Sequence, residues 1–93
     1  MILMMSCTPP TRVVFLGDSI TELADNKEGE GTYKGFLTLL RENVNQEIEL
    51  INKGIGGDKV SDLLMRYQTD VIELSPDIVF IYIGINDVWH RYD

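Results

Sequence analysis

Arg12-Val13-Val14-Phe15-Leu16-Gly17-Asp18-Ser19 is the stretch that decides the fold of this chain. From Val13 to Leu16 every side chain is apolar, so an extended backbone here needs cover on both faces. That is the pattern of a strand in the middle of a sheet. Gly17 permits the tight turn that ends the strand, and Ser19 then falls at the start of a loop or helix. A helical turn is expected just after Ser19.

Two later segments have the same construction. Residues 47–53 alternate apolar and polar side chains and read as a strand with one wetter face; Gly56-Gly57-Asp58 follows. Residues 77–84 (Asp-Ile-Val-Phe-Ile-Tyr-Ile-Gly) form the most apolar strand of the chain, and Ile85-Asn86-Asp87 follows.

Helices are expected between the strands. Tyr33, Phe36, Leu37, Leu40 and Val44 recur at helical spacing, as do Val60, Leu63, Leu64, Tyr67, Val71 and Leu74. Asp58 is the expected N-cap of the second helix, and Ser75-Pro76 its expected end. Residues 22–35, acidic and rich in glycine, read as a surface loop, and 1–11 as an irregular lead-in.

The order is β-α-β-α-β. Crossovers of this length make the strands parallel. Right-handed crossovers give the strand order 2-1-3 of a flavodoxin-like, three-layer α/β/α sheet. This order puts the most apolar strand at an edge, where a bare strand invites pairing. Further strands are expected beyond it. Residues 1–93 accordingly read as the N-terminal portion of a single domain.

The composition suits a small soluble domain, with 44% hydrophobic and 25% charged residues. Fifteen acidic residues against eight basic ones give a net charge of −7. No basic face for nucleic acid or an anionic membrane is expected from that balance. Cys7 is the one cysteine, which rules out an intrachain disulfide and fits a reducing, cytoplasmic compartment. The apolar start has no basic residues, against a secretory signal, and no run approaches the roughly 20 residues of a membrane span.

Chemistry is expected where the three loops meet, at the carboxyl edge of the sheet. Ser19 offers a hydroxyl, Gly57 a backbone N–H that no side chain obstructs, and Asn86 a side-chain amide. Each has a plain structural alternative: a helix cap for Ser19, a positive-φ loop glycine for Gly57, an Asx-turn for Asn86. Together they make a nucleophile with oxyanion donors around it. Asp18 and Asp87 read as turn-holding supports. Trp89 reads as a sugar-stacking platform at the site rim, a core residue or a subunit contact, which leaves a homo-oligomer open.

The ordered set Gly17-Asp18-Ser19, Gly57 and Gly84-Ile85-Asn86-Asp87 resembles the first three motif blocks of the SGNH, or GDSL-type, hydrolase superfamily. Ile20 stands where that family often has leucine. Residues 52–58 and 84–93 look closer still to its acetyl-xylan esterase branch, whose members deacetylate xylan or its oligosaccharides. The resemblance implies a metal-free, cofactor-free serine esterase acting on a small-molecule or oligosaccharide ester. Ser19 would be the nucleophile, and its N–H, the Gly57 N–H and the Asn86 amide would form the oxyanion hole. The family's base and its orienting acid come from an Asp-x-x-His block, which is absent here. His90, the one histidine, reads as a rim residue rather than a substitute base. Three alternatives stay open: a lysophospholipase or thioesterase of the same fold, a non-catalytic subunit pairing through the third strand, and a nucleotide binder, for which the glycine cluster at 54–57 is weak.

Overall fold

The computed structural model describes residues 10–27 and 34–89. Three parallel strands, β1 (Thr11–Gly17), β2 (Ile48–Gly54) and β3 (Ile78–Tyr82), form one sheet in the order β2-β1-β3. Gly17 pairs in register with Gly54 on one side and with Tyr82 on the other. The three strands therefore end level, and the loops after them leave from a single edge.

Burial follows the alternation of a strand. Val13 and Phe15 point to one face of β1 and pack with Ala24 and Leu37; Leu37 lies on helix α2 (Phe36–Asn43). Val14 and Leu16 point to the other face and pack with Leu63 and Val71, with Leu63 on helix α3 (Val60–Asp70). β1 is thus covered by a helix on each face. Each of these buried β1 side chains contributes about 1.5–3 kcal/mol, which makes β1 the main apolar support of the domain.

Several expectations change in detail. The segment after Ser19 is helical for longer than one turn. Helix α1 (Ser19–Glu22) runs into a 3-10 turn (Leu23–Asp25), and Ala24 is buried rather than in a surface loop. The loop closes at its base, where Asn26 O accepts from Gly35 N–H at 3.0 Å and from the Thr38 hydroxyl at 2.8 Å. Residues 28–33, and with them Tyr33 of the expected helix stripe, lie outside the described residues.

Asp58 does not cap α3. Lys59 holds that position, and its N–H donates to the Asp62 carboxylate at 2.8 Å. The Asp58 carboxylate is taken by Arg66 instead. α3 also stops before Ser75. Val71 leaves the helix at φ −125 and turns into the core, a 3-10 turn (Ile72–Leu74) follows, and Ser75 adopts a left-handed φ of 51.

Among the described residues β3 pairs only with β1, and it is exposed along its whole length. The cover its apolar sequence calls for does not come from the described residues. Phe80 does stack on Phe15, with ring centroids 5.1 Å apart. A groove of about 450 Å³ between β3 and α3 is lined by Leu63, Leu64, Tyr67, Val79 and Ile81.

Candidate active site at the carboxyl edge

The β1 loop places Ser19 at the first position of α1. Asp18 caps this helix, its Oδ1 accepting from Ile20 N–H at 3.0 Å. Asp18 is fully buried, and its Oδ2 meets no donor among the described residues. α1 is pressed against the end of β2: a Cβ on Gly54 would lie 2.3 Å from Glu22 N and 2.8 Å from Asp18 O. Only glycine allows that approach. Asn52, also on β2, fastens the helix by donating to Thr21 O and to Asp25, both at 2.8 Å.

The Asp25 carboxyl is held below its ordinary pKa. Hydrogen bonds from Arg41 are the largest cause, partial burial opposes them, and the Asn52 amide adds to the lowering. The Arg41–Asp25 pair, at 2.8 Å, ties α2 to the same corner.

The second loop rises beside the serine. The Glu22 carboxylate accepts from Gly56 N–H at 3.1 Å, and a Cβ on Gly56 would stand 3.5 Å from the Ser19 Cβ. Gly57 follows with φ 87, and a Cβ there would meet nothing within 4 Å. Both properties matter. The backbone conformation favours glycine, and the space a side chain would fill is open.

The third loop leads from Gly84 into a short helix, α4 (Ile85–Trp89). Asn86 is buried in its first turn, where its Nδ2 donates to Asp58 O at 3.0 Å. The Asp87 carboxylate accepts from Val60 N–H, 3.1 Å to the nearer oxygen, and so joins this loop to the start of α3. Trp89 is 73% exposed and takes no part in the core of the described residues. His90 lies outside the described residues.

The backbone N–H groups of Ser19 and Gly57 donate to no acceptor among the described residues, and one N–H of the Asn86 amide is likewise uncommitted. A serine hydroxyl and uncommitted N–H donors at one sheet edge are the groups that attack on a carbonyl requires.

Sequence reasoning passed over Arg66. Its guanidinium reaches Asp58 through Nε at 2.8 Å, Lys53 O and Asp70 through Nη1 at 2.8 Å each, and Gly17 O through Nη2 at 3.1 Å. The signal was present. Arg66 follows the buried Leu63 by three residues, so it sits on the sheet-facing side of α3, where an apolar residue would ordinarily stand.

Residues 15–93 match the GDSL-like Lipase/Acylhydrolase family. The chain is 44% identical over 92 residues to an acetylxylan esterase of Geobacillus stearothermophilus, covering 88% of this chain and 42% of the relative. The crystal structure of an acetyl xylan esterase, AlAXEase, superposes with a TM-score of 0.71 at 42% identity, covering 87% of this chain and 40% of that one. The solved Geobacillus esterase gives a TM-score of 0.69 at 38% identity, covering 96% and 45%. Forms of that enzyme described as catalytic mutants carry alanine in place of a serine, an aspartate, or a histidine three residues after that aspartate. The chain spans about two-fifths of the length of these relatives.

Proposed function

The chain belongs to the GDSL-like lipase/acylhydrolase family, and from that premise we propose that it works as a serine carboxylester hydrolase that removes O-acetyl groups from carbohydrate. The observation that carries this reading is the convergence of Ser19, Gly57 and Asn86 on one sheet edge, with Asn86 bonded to the residue after Gly57.

In this reading Ser19 Oγ attacks the acetyl carbonyl and gives up its proton to a histidine held by an aspartate. Replacing such residues makes catalytic mutants of the Geobacillus esterase, and no histidine is among the described residues. The negative charge on the carbonyl oxygen is met by the Ser19 and Gly57 N–H groups and the Asn86 amide. The C–O bond to the sugar then breaks, and the sugar oxygen takes the proton back. Water, deprotonated by the same histidine, releases acetate from Ser19. Asp18 and Asp87 hold the turns through Ile20 and Val60, and the exposed Trp89 offers its ring to a sugar at the rim.

The test is hydrolysis of p-nitrophenyl acetate and acetylated xylo-oligosaccharide by the complete enzyme and by Ser19→Ala. The serine variant is expected to lose turnover on both. Full activity in Ser19→Ala removes the nucleophile, and equal or better turnover of a lysophospholipid or long-chain acyl-thioester removes the deacetylase assignment.

The open β3 favours a second reading, in which this chain is a subunit that pairs with another polypeptide through that strand. A monodisperse monomer in sedimentation, with cooperative unfolding, would count against it.

A further inference from the structure

One side chain ties the first loop to the second, and the third loop is bonded to the second. Arg66 donates to Gly17 O, two residues before Ser19, and to the carboxylate of Asp58, the neighbour of Gly57. The carbonyl of the same Asp58 accepts from Asn86. A further bond from Arg66 to Lys53 O fixes the end of β2, and Asp70, one turn further along α3, sets the guanidinium plane. The Arg66 side chain is only 15% exposed, and Asp58 is as well covered. Removing that side chain would therefore take a donor from the largely covered Asp58 carboxylate, from Lys53 O and from Gly17 O, the last of which keeps the Ile55 N–H at 3.0 Å.

We propose that Arg66 is the positioning residue of the site, setting the oxyanion donors of the second and third loops in register with Ser19; this rests on the esterase reading of Ser19. The requirement is geometric. Donors must meet the developing oxyanion at about 2.7–3.1 Å, and an error of about 1 Å can cost roughly 10²-fold in rate. A planar guanidinium with five fixed donors spans acceptors on β1, β2 and the Asp58 loop at once. A lysine ammonium keeps the charge but cannot reach all of them.

The experiment compares Arg66→Lys with Arg12→Lys in the complete enzyme. Arg12 binds Glu49 and Leu74 O at the opposite end of the same strands, so its variant loosens the sheet away from the site. Arg66→Lys is expected to lower kcat by about 10- to 100-fold with KM within about twofold, and to shift the side-chain amide resonance of Asn86 in a ¹⁵N spectrum. Arg12→Lys is expected to leave kcat within about twofold and that resonance unmoved. Equal kcat losses in the two variants, or an unmoved Asn86 resonance in Arg66→Lys, would overturn the proposal. If Arg66→Lys does not fold, Asp58→Asn carries the same comparison, because it keeps the backbone carbonyl that Asn86 uses and removes the charge that Arg66 meets. Loss of the esterase reading would appear separately, as turnover insensitive to Ser19→Ala, and the resonance comparison would still decide the role of Arg66.

Discussion

The two ends of the sheet are fastened by the same chemistry with different results. At the amino end, Arg12 bonds Glu49 on β2 at 2.7 Å and Leu74 O, while its backbone N–H donates to Asp77 at 2.7 Å. That side chain is 37% exposed, and an exposed pair of this kind contributes about 0–1 kcal/mol. At the carboxyl end, Arg66 is covered and its acceptors lie on three elements. Breaking this largely covered pair is expected to cost more than breaking the exposed one, though less than the ~3–5 kcal/mol of a fully buried pair. One arginine closes a seam, and the other fixes where loops leave the sheet. Burial and the identity of the acceptors make the difference, not the residue type.

The largest effect that would sharpen this contrast belongs to Asn86. Asn86→Ala in the complete enzyme removes both a candidate oxyanion donor and the bond to Asp58 O. kcat is expected to fall by about 10²–10³-fold, read in steady-state kinetics beside a thermal melt. A kcat within a few-fold of the parent would leave Asn86 as loop structure only and reduce the carboxyl end to a second seam.

A smaller effect concerns the corner where Asp25 meets Arg41 and Asn52. Its carboxyl titrates below the ordinary value because Arg41 binds the charged form. A group depressed on folding contributes stability that is fully present above its unfolded pKa, about 3.9, and lost as pH falls through the folded value. The urea midpoints of the parent and Asp25→Asn should therefore differ above pH of about 4 and converge below it. Parallel curves through that window would contradict the assignment.

Much of this architecture was legible because the signals are local. Each strand announces itself by its own side chains, and each loop by a glycine placed where the strand stops, so parallel pairing and a shared edge follow from spacing, and the 2-1-3 order from right-handed crossovers. What was misread depends on distant partners. An aspartate before a helix is a natural N-cap, and only the fold reveals that Arg66, eight residues on, claims Asp58 while Asp62 serves the helix start. Glu22 to Asp25 looked like part of an acidic loop because its composition runs on into residues 28–31, yet Ala24 is held in the core by Phe15 and Leu37. The apolar character of β3 was legible, but burial is a property of neighbours, and among the described residues β1 is the one strand that pairs with it.

The most direct test of the central claim is covalent. Complete enzyme mixed with p-nitrophenyl acetate, quenched in acid within the first turnover and digested, should carry a single acetyl group on the peptide that contains Ser19, absent in Ser19→Ala. An acetyl group found elsewhere, or turnover with no acetylated Ser19 at any quench time, would contradict the assignment of this edge as the site of an acyl-enzyme.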